Sequence, residues 1–303
     1  MILCAGEALI DMLPRKTEAG EATLMPAAGG AVFNTAIALG RLGVKTGFFS
    51  GISNDMFGRQ LIETLDTSNV CTGLAHRSDR PTTMAFVELV DGQASYLFYD
   101  EATAGRMLSA DDLPPDFAGI DALFLGGISL MAEPCGAAYE TLQAWEAETK
   151  VTMLDPNIRP SFIVDEDAYR ARIFRMIALA DIVKLSDEDM HWLMGPGDVD
   201  DLARHILKAG PRVFCYTQGA QGVIAFTDTK RYQAPAPKTT VTDTVGAGDT
   251  FNAGFLAGLA RQGALTKDIV GTTDLSSALD LGVRAAAVTV SRAGANPPWA
   301  HEM

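Results

Sequence analysis

The chain alternates between short apolar, β-branched runs and longer stretches whose apolar positions recur at helical spacing. Runs at 2–10, 45–50, 121–125, 151–154, 181–184 and 212–216 are predicted as strands. Between and after them the periodicity predicts helices over 32–42 (closed by Gly43), 55–66, 135–148, 166–178, 187–194, 199–209, 247–261 and 275–290. This alternation predicts βαβ units, hence an α/β three-layer sandwich with a mostly parallel central sheet covered on both faces. Segment 222–226 is predicted as an antiparallel partner of the run at 212–216. The last two helices are rich in Ala and Gly, which predicts close packing.

Residues 83–99 break the rhythm. They read as two strands of alternating polarity around Asp91-Gly92, a dipeptide suited to a tight type I′ turn. An antiparallel hairpin inserted in a βα series predicts a small second layer, either a lid over a site or an edge decoration.

Composition narrows the classes of partner. A chain of 303 residues with 48% hydrophobic content can bury one large core, as a single α/β domain with an appendage or as two domains. Its 38 acidic against 24 basic residues give a formal net charge of -14, which argues against nucleic-acid or anionic-membrane partners. An anionic substrate would need a locally positive site. Cys4, Cys71, Cys135 and Cys215 are scattered without CxxC spacing and mostly sit in apolar stretches, as reduced thiols do. The opening MILCAGEALIDMLP lacks a basic segment and carries Glu7 and Asp11, so it reads as a first strand rather than a signal peptide. No uncharged apolar stretch reaches membrane-spanning length, and a cytoplasmic protein is expected.

The chemistry concentrates in 243–256, DTVGAGDTFNAGFL. Gly246, Ala247 and Gly248 lead into a helix whose first turn offers unpaired amides, with nothing bulky to keep an anion away. Asp249 falls in that first turn, where a carboxylate suits the helix dipole and can also accept a proton from a nucleophilic hydroxyl. Alone, a GxGD is equally an ordinary tight turn with an N-terminal helix acid.

The full pattern D-T-x-G-A-G-D-x-x-x-A-G-F resembles the C-terminal signature of the PfkB, or ribokinase-like, family of carbohydrate kinases. The resemblance implies that the amides of Gly246, Ala247 and Gly248 form an anion hole, that Asp249 is the catalytic base and that Thr244 lies near the ATP phosphates. AGGAVFNTAIALGRLG at 28–43 resembles the family's first signature, which places Gly29, Gly30 and Asn34 against the sugar. Val32 and Ser53 depart from it, standing where small residues and Gly are usual. GEALID puts Asp11 where family members hold sugar hydroxyls, and a carboxylate accepting two neighbouring hydroxyls suits a polyol.

Three further strings extend the resemblance. DPNIRP follows a predicted strand and carries Asp155, Asn157 and Arg159, where open α/β sheets meet ligands. It resembles fructokinases and 2-keto-3-deoxygluconate kinases more than ribokinases. Arg159 then offers a cationic fork to the transferring phosphate or an acidic sugar group, or is an exposed turn residue. KLSDEDMHWL at 184–193 occupies the place of the family's N-x-x-E magnesium motif, with Lys184 expected at the nucleotide. Ser186 and Asp189 replace the usual Asn and Glu. The shorter Asp189 would reach a metal through water, while a helix cap by Ser186 toward Asp189 explains the same letters. YTQGAQGVIAF brings Thr217, Gly219 and Gly222 to the nucleotide, or forms a plain turn. SRAGANP at 291–297 resembles the loop near the adenine site.

No GxxxxGK[ST], HExxH, GxSxG or complete GxGxxG is present, which removes support for P-loop, zincin, hydrolase and dinucleotide readings. The resemblance therefore implies ATP, Mg2+ and a small-molecule sugar. It also implies a core of 1–10, 29–81 and 104–303 with a β lid of 11–28 and 82–103, and a homodimer through the lid is compatible with open strand edges. Fructose is the favoured sugar, on GEALIDMLP, DPNIRP and YLFYDEATAGRM, although Gly105 stands where an acid is usual. A 2-keto-3-deoxy sugar acid, ribose or a nucleoside, and a non-catalytic sensor remain as alternatives.

Overall fold

The computed structural model describes the backbone of residues 1–90 and 93–303, so the expected Asp91-Gly92 turn lies outside the described residues. The chain opens with β1 (Ile2–Ala5), β2 (Leu9–Lys16), β3 (Ala22–Gly29) and helix α1 (Ala31–Arg41). Strands β4 (Thr46–Phe49) and β5 (Gly51–Ser53) precede α2 (Met56–Thr67), followed by β6 (Val70–Cys71), β7 (His76–Ser78), β8 (Met84–Val90) and β9 (Gln93–Tyr99). Then come β10 (Ala122–Gly126), α3 (Cys135–Glu146), β11 (Val151–Asp155), α4 (Glu166–Leu179), β12 (Ile182–Ser186), α5 (Asp187–Met194) and α6 (Val199–Ala209). The last third holds β13 (Val213–Thr217), β14 (Val223–Phe226), β15 (Arg231–Ala234), α7 (Ala247–Arg261) and α8 (Ser276–Val290).

The main sheet runs β15-β14-β13-β12-β11-β10-β1-β4-β6. From β13 to β6 every pairing is parallel, and β14 and β15 close one side antiparallel. Alternation along β1 shows why both faces need cover. Ile2 and Cys4 pack into one apolar cluster with α1, α7 and α8, while Leu3 and Ala5 pack into another with α3, α4 and α6. The small residues of α7 and α8 allow close approach: a methyl on Gly254 would stand 2.7 Å from the Gly282 Cα.

A second sheet has the order β3-β2-β8-β9, antiparallel within each hairpin and parallel between β2 and β8. The apolar run 2–10 is thus two strands in different sheets rather than one. The chain leaves β1 at Gly6, whose carbonyl accepts the Tyr139 hydroxyl at 3.1 Å. Val32 packs against Gly6 where a side chain would stand. Strands of this smaller sheet occupy 9–29 and 84–99. Because β1, β10, β11, β12 and β13 all point the same way, their carboxyl ends share one rim, where Gly126, Asp155, Ser186 and Thr217 stand.

Candidate active site

Gly246 caps α7 in the left-handed conformation (φ 77°) that a side chain would resist. Ala247, Gly248 and Asp249 then form the first helical turn. The Ala247 amide makes a long 3.3 Å bond to the Thr244 carbonyl, and the amides of Gly248 and Asp249 have no acceptor among the described residues. A methyl on Gly248 would meet only the Lys184 Nζ, at 3.5 Å. Open amides, a helix N-terminus and an ammonium group therefore converge on one small volume suited to an anion.

Asp249 itself is 7% exposed. Burial pushes its carboxyl up to about 7. The Asp155 and Glu7 carboxylates add to that, against the Asn34 hydrogen bond and the Lys184 charge. Asn34 Nδ2 donates to Asp249 Oδ2 at 2.9 Å, so α1 and α7 meet at this carboxylate. A carboxylate titrating near neutrality is well matched to taking a proton from an alcohol.

Behind it lies a buried ion pair. Lys184 Nζ donates to Asp155 Oδ2 at 3.1 Å, and Asn252 Nδ2 donates to the same oxygen at 2.7 Å. Burial alone would lower the Lys184 ammonium, but Asp155, Asp189 and Asp249 outweigh it and hold its pKa above the usual lysine value. Lys184 is therefore a fixed positive charge in an acidic protein.

Two clefts meet here. One, of about 970 Å3, is lined by Asp11, Asn34, Arg159, Asp249 and, from the smaller sheet's β9, Phe98. The other, of about 600 Å3, has aliphatic walls that include Val223, Val283, Ala287 and Val290. Lys184, Ser186, Glu188, Thr244, Ala247 and Gly248 line both. In the larger cleft, burial pushes the Asp11 carboxyl up to about 6. A methyl on Gly29 would strike that carboxylate, which is why the position holds glycine. Gly30, at φ 112°, caps α1 and also lines this cleft.

The remaining expected residues divide. Thr217, Gly219 and Gly222 line the aliphatic cleft with Thr244. Gly222 adopts φ 95°, and a methyl there would strike the Ala234 carbonyl. Arg159 is exposed in the larger cleft, its Nη1 donating to the Ile158 carbonyl at 3.0 Å. Asp189 takes the capping form: its Oδ2 accepts the Ser186 amide at 3.0 Å and its amide donates to the Ser186 hydroxyl. Oδ1 holds the Ile158 amide at 2.7 Å. Both oxygens thus bind backbone, and the helix cap, one of the two readings of these letters, is present.

Sequence reasoning passed over three contributors. Glu7 lines the larger cleft, where the motif had pointed only to Asp11. Asn252, one turn beyond Asp249, falls on an unspecified position of the pattern yet bonds Asp155. Phe98 meets Phe162 edge to face at 3.9 Å between ring centroids, joining the smaller sheet to the core. Only Glu7 left a trace in the letters, as an acid inside an apolar run.

The sequence pattern of the pfkB family carbohydrate kinases matches residues 1–302. The chain is 54% identical over 274 residues to a fructokinase of Rhizobium leguminosarum bv. trifolii, covering 90% of this chain and 84% of that protein. The crystal structure of a Xylella fastidiosa fructokinase with bound ATP superposes with a TM-score of 0.88 at 28% identity, over 97% of this chain and 93% of the other. A Vibrio cholerae fructokinase double mutant, crystallised with fructose, ADP and potassium, gives a TM-score of 0.85 at 25% identity over 97% of this chain and 93% of the other. With a match over residues 1–302 and fructokinase relatives in both sequence and structure, the chain belongs to the PfkB family and is an ATP-dependent carbohydrate kinase.

Proposed function

We propose that this kinase transfers the γ-phosphoryl group of ATP to a hydroxyl of fructose, with Asp249 as the base. The observation that carries the reading is a buried carboxylate beside open amides where a cleft lined by Asp11, Asn34 and Arg159 meets an aliphatic one. In this reading Asp11 and Asn34 hold the sugar, with Gly29 and Gly30 leaving room for it. The aliphatic cleft takes the nucleoside, and Thr217, Gly219, Gly222 and Thr244 lie along the phosphates. Asp249 receives the hydroxyl proton as the phosphoryl group transfers in line, while the Ala247, Gly248 and Asp249 amides and Lys184 hold the developing charge. Identity to the Rhizobium fructokinase supports fructose as the acceptor.

Magnesium supplies charge neutralisation to the phosphates when bound. Among the described residues no group of three His, Cys, Asp or Glu side chains is placed to hold a metal. That is compatible with an ion carried in on phosphate oxygens, since magnesium keeps several waters and needs only one or two carboxylates. Glu188, which lines both clefts, is the group positioned to hold its water shell.

The four-stranded sheet is assigned as a lid over the sugar, because Asp11 and Phe98 line the cleft from it. Its edge strands β3 and β9 expose Leu24, Met25, Leu97 and Tyr99, which favours a homodimer through the lid. A second reading, a 2-keto-3-deoxy sugar acid as acceptor, is favoured by Arg159, a cationic fork open in the same cleft.

A coupled ADP-release assay across fructose, 2-keto-3-deoxygluconate, ribose and nucleosides tests the assignment. Fructose is expected to give the highest kcat/KM. A clear preference for the sugar acid would move the assignment to the second reading, and binding without ADP release would favour a sensor.

A further inference from the structure

Glu7 stands where the chain crosses from β1 in the main sheet to β2 in the smaller one. It is 8% exposed and lines the larger cleft. One carboxylate oxygen, Oε1, accepts the Ala31 amide at 2.7 Å and the Val32 amide at 3.3 Å, the first two of α1. The other, Oε2, accepts the Ser129 amide at 3.3 Å, in the loop that follows β10. Three amide donors suit the ionised form, although burial raises the carboxyl's pKa. The bend carrying Glu7 is tied to α3 through the Tyr139 hydroxyl on the Gly6 carbonyl.

Two neighbouring glycines leave room for this side chain. Gly30 and Gly127 both have positive φ, and a methyl on Gly127 would strike the Glu7 carboxylate. Gly30 is the cap of α1 and carries no side-chain capping bond of its own, so the Glu7 carboxylate supplies that function from another part of the chain. Asn34, in the first turn of the helix so capped, is the residue that bonds Asp249.

We infer that Glu7 is a positioning residue for phosphoryl transfer: its carboxylate fixes the first turn of α1 against the 127–129 loop, and so sets where Asn34 holds the base and the sugar. The inference rests on the sugar-kinase assignment of this cleft. It predicts a split that loss of general stability would not produce. Glu7→Gln keeps the volume, but a carboxamide can accept on one side only and turns a donor toward the amides on the other. The sugar KM is therefore expected to rise about tenfold and kcat to fall about tenfold, the order expected for one charge-assisted bond, while the ATP KM stays within twofold. Glu7→Asp keeps the charge but is one methylene short of spanning both segments, and is expected to show the same split more weakly.

Steady-state kinetics of the wild type, Glu7→Gln, Glu7→Asp and Asp249→Asn, with nucleotide binding by calorimetry on each, decide the matter. If Asp249→Asn retains turnover, the sugar-kinase assignment of the cleft fails, and Glu7 with it. If Asp249→Asn is inactive while both Glu7 variants keep sugar KM and kcat within twofold, the role of Glu7 alone is overturned. Parallel loss of nucleotide and sugar affinity, or failure of both Glu7 variants to fold, likewise overturns it by assigning Glu7 to the fold at large.

Discussion

The two clefts that meet at Gly248 differ in how polar their walls are. The larger presents Asp11, Asn34, Asp249 and Arg159, polar groups held by hydrogen bonds or raised in pKa by burial. The smaller presents valine and alanine walls beside polar groups such as Lys184, Glu188, Thr217 and Lys238. Directional groups distinguish one polyol from another because a misplaced hydroxyl leaves a buried partner unpaired. Aliphatic walls reward contact area and discriminate weakly. Under the proposed assignment the kinase is demanding about the acceptor and holds the donor by its phosphates, so damage to either cleft should register in a different kinetic constant.

The sharpest way to break this contrast is at the junction. Asp249→Asn is expected to lower kcat by at least ~10²-fold with the fold intact, as general-base loss does; near-normal turnover would remove Asp249 from the mechanism. Lys184→Met leaves the Asp155 carboxylate buried without its cation, at a cost of about 3–5 kcal/mol in unfolding free energy, readable by urea denaturation. Both partners are nearly inaccessible, at 5% and 2% side-chain exposure, so solvent does little to soften that loss.

On the hydroxyl-binding side, Asp11→Asn is expected to raise the sugar KM by roughly 10- to 100-fold, the range for losing hydrogen bonds to a charged group, and to leave the ATP KM unchanged. An equal rise in both constants would erase the distinction between the clefts. On the aliphatic side, Val290→Ala removes only about two methylene equivalents of wall and is expected to raise the ATP KM by a few-fold. A sugar-specific effect from it would be equally damaging.

Acidity offers a test without substitution. The Asp249 carboxyl is raised from an ordinary value of 3.8 to about 7, mainly by burial, so the fraction available as base falls as pH drops below 7. The kcat/KM profile should carry an acid limb there. Stability moves in the opposite sense: the native state binds this proton more tightly than the unfolded chain does. The contribution is complete below about 3.8 and is lost as pH rises through about 7. Asp249→Asn should accordingly raise Tm at pH 8 relative to the wild type while abolishing turnover, and a lowered Tm there would contradict the burial argument.

Much of this was legible in the letters. Helix periodicity located α5, α6 and α7 with bounds that the structure reproduces. DTVGAGDTFNAGF marked the helix end and its acid because the requirement there is local: small residues, a left-handed cap and a carboxylate within one turn. The run 2–10 was misread as one strand because strand periodicity carries no mark of which sheet a residue joins. Asp189 allowed two readings, and the structure adds to its helix cap a backbone amide from Ile158 that lies too far off in sequence to be foreseen.

By itself the sequence determined the helices, most strands of the main sheet, the family and the place of Asp249 at a helix start, since each depends on neighbours within a few residues or on a long specific string. Only the tertiary structure decided that Asp249 is buried, that Asn34 reaches it across 215 positions of sequence, and that Glu7 caps a helix from the connection between two strands. These depend on which segments the sheet order brings to one rim. Burial and long-range hydrogen bonds set the acidity of a carboxylate, and neither is written in the residues beside it.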